Sequence, residues 1–419
     1  MQAEQIQPRI LLAGVPFGCD NVGDEAILAA VVTLVREVFP LADITVSTRD
    51  HEHTPKKLSV KTCPLFGFDA LKAGEPSLPE VLKNQDFVIW PGATGLSDYP
   101  ELPLSIMETA QSMQIPTMLF CTGMNTELNP YLYQLQPGKR KSVYQLIKTA
   151  SLGLVDLETK YREDKESATR DRIRSVLPRM KARLVRDPES LEIVSACLKG
   201  TQCSIELGAD PALITESWPL DRIHVSSTCS KWFNDASLKK IGLCISAQSP
   251  VTNMAELASA MDDLIEKENA VIIGLPMNPI TDAALLEEFK ALLRNKSKLE
   301  IAYKCPEPEE ITALASQMDV VISSRLHLLI LSTIHKIPII GISRGSKVTN
   351  FTNPLGIRDV GSVQSLNVDA LVSEILRLFR DKAAYQQKAE TVMTGMMKRL
   401  DHAREILRST LELTFGKNP

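Results

Sequence analysis

Apolar runs of strand length alternate along the chain with segments of helical period. RILLAG (9 to 14), a helix from about Asp24 to Val38 and DITVST (43 to 48) together predict a βαβ unit. The series continues with DFVIWPG (86 to 92), a helical ELPLSIMETAQSM, PTMLFCTG (116 to 123), a helical KSVYQLIKTA and a strand-like LGLVD (152 to 156). After LGADPAL (207 to 213), the poorly patterned stretch from about Thr215 to Leu238 reads as a linker. A second series then runs through KKIGLCIS (239 to 246), AVIIGLP (270 to 276), KLEIAYKC, DVVISS (319 to 324) and IPIIGIS (337 to 343), with helical segments between them.

Repeated βα units imply mostly parallel sheets covered by helices. The predicted fold class is therefore α/β, with two facing Rossmann-like domains and a cleft between them. The expected boundaries are 1–215 for the N-terminal domain, 216–238 for the linker, 239–382 for the C-terminal domain and 383–419 for a long C-terminal helical segment.

A length of 419 residues with 44% hydrophobic content suits two cores rather than one. The net charge of −4 gives no electrostatic footprint for nucleic acid. Ten Lys or Arg against four Asp or Glu between Lys160 and Arg186 form a local exception, read either as a solvated helix face or as a ligand surface. Eight scattered cysteines without a C-x-x-C pair read as reduced thiols filling cores. With a polar MQAEQIQPR start and no long apolar run, the expectation is a cytoplasmic protein.

GVPFGCDNVGDEAIL (14 to 28) places a glycine-containing turn between a strand and a helix, yet fits neither G-x-G-x-x-G nor the Walker A spacing. Gly18 and Gly23 permit a tight turn and close approach, while Asp20, Asp24 and Glu25 would repel a bare phosphate. The loop therefore suits sugar hydroxyls, with Gly18, Asn21, Gly23 and Glu25 as acceptor-binding candidates and Asp20 or Asp24 as the base. The alternative is capping, with Asn21 or Asp24 closing the helix and Glu25 complementing its dipole.

ISSRLHLLIL (322 to 331) ends a strand at Ser323 and Ser324 and puts Arg325 and His327 in the first helical turn. A cation there opposes the helix dipole unless an anion sits nearby, so the segment reads as an anion pocket. A satisfied core histidine and a surface ion pair are the alternative. LVRDPES (184 to 190) brings Arg186 to another strand end, as a second anion ligand or as half of an Arg186 to Asp187 pair. His51 and His53 in RDHEHTP have metal-compatible spacing, although an exposed loop accounts for them equally; no metal site is expected.

GCDNVGDEAIL, VRDPES, GADPAL and SSRLHLLIL, in this order, resemble the polysaccharide pyruvyltransferase family, and SKVTNFTNPLG (346 to 356) is similar to its K-V-x-x-F segment. The resemblance implies a GT-B-like fold and transfer of pyruvate from phosphoenolpyruvate onto two hydroxyls of a sugar, giving a cyclic ketal. It implies donor-site roles for Arg325, His327 and Arg186, with Ser323, Ser324 and Lys347 beside them. Phosphoenolpyruvate is then a substrate, no cofactor is needed, and the acceptor is a surface polysaccharide or its lipid-linked precursor. A lipid-linked acceptor would draw the basic surface around Arg170 to Arg183 toward a membrane. Where the family often carries an arginine after the first strand of its second domain, this chain has SAQS, with Gln248 near that place. The competing readings are a GT-B-type glycosyltransferase using a nucleotide sugar and a non-catalytic, glycan-binding member.

Overall fold

The computed structural model describes residues 7–126 and 128–416; residues 1–6 of the polar MQAEQIQPR start lie outside them. Contacts group the chain into two compact units. One comprises the residues up to Pro16, Val32–Asp210 and those from His402 onward; the other comprises Phe17–Val31 and Pro211–Asp401. The grouping differs from a division at a linker in chain order, because residues 17–31, the turn after β1 and the first part of the helix Val22–Val38, associate with the later half.

The first unit holds a parallel seven-stranded sheet in the order β3-β2-β1-β4-β5-β6-β7. Its strands are β1 (Arg9–Phe17), β2 (Asp43–Thr48), β3 (Lys61–Cys63), β4 (Phe87–Pro91), β5 (Thr117–Thr122), β6 (Ala182–Val185) and β7 (Glu206–Leu207). Continuous apolar runs such as FVIWP and TMLFCT are buried along their whole length, as parallel strands covered on both faces must be.

The second unit is a parallel five-stranded sheet in the order β10-β9-β8-β11-β12. These strands are β8 (Lys239–Cys244), β9 (Ala270–Gly274), β10 (Leu299–Ile301), β11 (Val320–Ser323) and β12 (Ile339–Gly341). The strand order reverses between β8 and β11, and open α/β sheets bind ligands outside the carboxyl ends of their strands at such a switch point.

One sequence expectation is corrected. LGLVD is not a strand: Leu152 and Gly153 have φ of +51° and +82°, and Asp156 caps the helix Leu157–Val176 by accepting from Thr159 N at 3.1 Å. Glycine and the cap end any extended run there, and the apolar side chains stay exposed. The linker contains a helix, Ser227–Asn234, started by the Ser226 hydroxyl accepting from Cys229 N at 3.1 Å. His51 and His53 flank an Asp50-capped turn leading into the helix His53–Leu58, with Asp50 accepting from the backbone of Glu52, His53 and Thr54.

The C-terminal helix runs from Lys382 to Phe415. Lys382 pairs with Asp319 at 2.8 Å in the second unit, and Phe415 meets the Phe39 ring edge-on at 5.7 Å in the first. All eight cysteines are free thiols, six of them buried.

Candidate active site

The site is built at the carboxyl ends of β8, β11 and β12. β11 ends at Ser323, and the chain turns through Ser324 and Arg325 into the helix Leu326–Ile334. Ser323 Oγ closes this turn, accepting from Arg325 N at 2.9 Å and donating to Arg325 O at 3.0 Å. Ser324 Oγ accepts from Ser246 N at 2.9 Å and so ties the end of β11 to the segment after β8. Both serines are buried; they shape the turn.

Arg325 is not a free fork. Its Nε and Nη2 donate to the two carboxylate oxygens of Asp282 at 3.0 and 2.8 Å. Asp282 is fully buried and also accepts from Ala247 N and Asn278 N, each at 3.0 Å. Four donors hold this one carboxylate in place, and its two oxygens fix the guanidinium plane. One edge of the planar group is thereby used; the geometry of guanidinium leaves its Nη1/Nη2 edge to meet an anion.

The first turn of the helix Val22–Val38 lies against this same segment. Gly23 packs on His327: a Cβ placed on Gly23 would fall 2.6 Å from His327 Cβ and closer still to the ring. Only a residue without a side chain fits. Val22 N donates to Met277 O at 3.0 Å, holding the start of the helix to the chain after β9. Asn21 caps the helix, its carbonyl accepting from Asp24 N and Glu25 N and its side chain accepting from Gly23 N at 3.3 Å. Glu25 Oε1 accepts from Gly18 N at 2.8 Å across a turn that needs left-handed φ at Gly18 (+70°) and Asp20 (+56°). Capping thus accounts for Asn21 and Glu25, and Asp20 is exposed at the tip.

Asp24 differs from the other acids of the loop. It is buried, accepts from Asn21 Nδ2 at 2.7 Å, and has His327, Arg325 and Lys347 as electrostatic neighbours. Burial pushes its carboxyl above the usual range, against the opposing pull of His327, Asn21, Arg325 and Lys347. A buried carboxyl with a raised pKa beside a histidine is placed to exchange a proton with it.

Sequence reasoning missed three residues here. Asp282 reads as a surface acid of the helix Thr281–Leu292. Arg344 follows β12 in SRGSK and donates to Gln248 Oε1 at 3.3 Å, bringing an arginine to the place where SAQS lacks one. The same signal that marked Arg325, a cation just beyond a buried strand, would have found it. Ser246 is the third: its Oγ is buried without a hydrogen-bond partner among the described residues.

Arg186 lies in the other unit and is buried. It donates to Asp187 at 3.2 Å and to Asp210 at 3.1 Å, joining VRDPES to GADPAL. Asp187 caps the helix Pro188–Cys197 by accepting from Ser190 N at 2.8 Å. The structure therefore pairs Arg186 with two carboxylates within its own unit, whereas Arg325, His327, Lys347 and Asp24 meet in the second.

The fold class is that of the GT-B glycosyltransferases and epimerases. A Listeria monocytogenes protein assigned as a UDP-N-acetylglucosamine 2-epimerase is similar at a TM-score of 0.64 and 12% identity, over 99% of this chain and 98% of that one. A UDP-glucose: anthocyanidin 3-O-glucosyltransferase solved with UDP gives 0.56 and 13%, over 98% and 100% of the two chains. UDP-GlcNAc 2-epimerase from Neisseria meningitidis, bound to UDP-GlcNAc, gives 0.56 and 12%, over 97% and 99%. No curated protein matches the sequence. The polysaccharide pyruvyl transferase family model matches residues 21–346, and the chain belongs to that family. Among the described residues no helix is long and apolar enough to cross a membrane.

Proposed function

We propose that the protein transfers pyruvate from phosphoenolpyruvate to two hydroxyls of a saccharide, forming a cyclic ketal and releasing phosphate. The observation that carries this reading is the convergence of Arg325, Lys347 and His327 at a switch point, around the one buried carboxyl of Asp24, with Arg344 beyond the end of the neighbouring strand β12. Phosphoenolpyruvate is a compact polyanion whose carboxylate and phosphate suit guanidinium forks and a helix N-terminus. Asp282 orients Arg325, while Arg344, Lys347 and the Ser246 hydroxyl supply further donors.

The reaction needs a proton on the methylene carbon and stabilisation of the oxocarbenium-like centre formed at C2. The first sugar hydroxyl adds to C2 and loses its proton; the C2–O bond to phosphate then breaks, phosphate keeping the electron pair. The second hydroxyl adds and also loses its proton. Of the two hydroxyl protons, one balances the proton gained by the methylene and one leaves with phosphate. Asp24 and His327 form the proton-carrying pair, and the cations hold the donor and offset charge on the departing phosphate. Asp20, exposed at the loop tip, is the group left to meet acceptor hydroxyls; Gly18, Asn21 and Glu25 shape that tip.

The GT-B neighbours that hold UDP or UDP-GlcNAc make nucleotide-sugar transfer the competing reading on fold alone. Incubation with phosphoenolpyruvate and a panel of free and lipid-linked sugars, followed by mass spectrometry and phosphate measurement, separates the two. A pyruvyl ketal with one phosphate released per transfer is expected. Sugar transfer from a nucleotide donor, or full pyruvyl transfer by His327→Ala, contradicts the assignment.

A further inference from the structure

The helix Lys139–Ala150 and the turn after it have no part in the chemistry above. None of the helix's residues is buried. Val143, Leu146, Ile147 and Ala150 recur at spacings of three and four, so they share one helix face. Leu146 is 70% exposed, and in the turn Leu152 and Leu154 are 92% and 89% exposed. Leu152 also holds a left-handed φ of +51°, a conformation unfavourable for leucine, while burying almost none of its side chain. Folding gains nothing from leucines placed this way.

Charge says what covers them. From Lys139 to Val155 there are four cations, Lys139, Arg140, Lys141 and Lys148, and no carboxylate. Arg140 lies over the Tyr144 ring of its own helix at 5.4 Å and over the Tyr161 ring at 4.9 Å, and Lys148 pairs with Asp156 at 2.6 Å; the contacts to Tyr161 and Asp156 fasten the helix to Leu157–Val176 and its cap. A two-fold contact with a second copy would set these cations against themselves. An apolar face flanked by cations instead complements an anionic lipid surface. The basic stretch around Arg170 to Arg183 is committed elsewhere: Arg172 to Glu108 at 2.7 Å, and Arg174, Arg179 and Arg183 to backbone carbonyls.

We propose that this face docks the protein on an anionic bilayer. Leu146, Leu152 and Leu154 enter the headgroup boundary, and Lys139 and Lys141 meet lipid phosphates. The proposal stands independently of the donor assignment, since its test needs neither donor nor acceptor.

The test is co-sedimentation of the purified full chain with vesicles of phosphatidylcholine, alone or mixed with phosphatidylglycerol. Binding should favour the mixed vesicles and weaken with salt. The Leu152→Ser/Leu154→Ser variant should bind them about tenfold more weakly, with circular dichroism and melting unchanged because both positions are exposed. Lys139→Glu/Lys141→Glu should abolish the preference for anionic lipid. Equal binding to both vesicle types, no binding, or unchanged binding by the leucine variant overturns the proposal. So does a wild-type dimer in lipid-free sedimentation velocity that the leucine variant dissociates.

Discussion

Gly23→Ala isolates the contact on which the site's geometry depends. The added methyl would lie 2.6 Å from His327 Cβ, where ordinary contact begins at 3.4 Å, so that atom must recede by 0.8 Å (3.4 − 2.6). Ring rotation leaves Cβ in place, and the required movement therefore belongs to the helix Leu326–Ile334 or to the first turn of the helix Val22–Val38. Overpacking of this kind costs about 1–3 kcal/mol, offset by up to about 1 kcal/mol from alanine's better helix propensity. A net loss of about 1–2 kcal/mol is expected, and a displacement near 1 Å at a reacting group lowers turnover by about 100-fold. Urea unfolding of wild type, Gly23→Ala, His327→Gly and the double variant reads the coupling directly. With His327→Gly the clash is gone, and Gly23→Ala should become neutral or stabilising. An equal penalty in both backgrounds would refute the packing argument.

Asp282→Asn leaves Arg325 without its counter-charge in a buried place, and should cost about 3 kcal/mol in urea unfolding while raising the KM for phosphoenolpyruvate more than it lowers kcat. Arg186→Met should destabilise the first unit by about 3 kcal/mol through its effect on Asp210 and Asp187; unchanged melting would show that the buried pairs are not structural. Asp24 carries a pH signature. Its folded-state pKa is raised, so its contribution to stability is complete below the ordinary carboxylate value of about 3.9 and is lost as pH rises through the raised value. Asp24→Asn should therefore melt with wild type in acid, melt progressively higher toward neutral pH, and lose transfer; a gap that opens toward acid instead would reverse the assignment.

The strands were legible because buried parallel strands are written as unbroken apolar runs, and β2 emerges with the bounds that DITVST predicts. LGLVD misled for the same reason: its leucines match a buried strand in composition but lie exposed on a turn, and only Gly153 and the Asp156 cap distinguish the two. Arg325 and His327 were legible because a cation at a helix N-terminus contradicts local electrostatics. Asp282 was not, since its partner lies 43 residues away and a buried acid on a helix looks like any surface acid. Residues 17–31 group with the second unit, where Gly23 in the first turn of the helix Val22–Val38 meets His327 and Val22 bonds Met277, contacts that no local pattern encodes.

Titration calorimetry of the purified chain with phosphoenolpyruvate, and separately with UDP, tests the central claim most directly, because it requires no knowledge of the acceptor. Phosphoenolpyruvate should bind, and Arg344→Gln and Lys347→Gln should each weaken it by about tenfold or more. Tight binding of UDP with no heat from phosphoenolpyruvate would contradict the account.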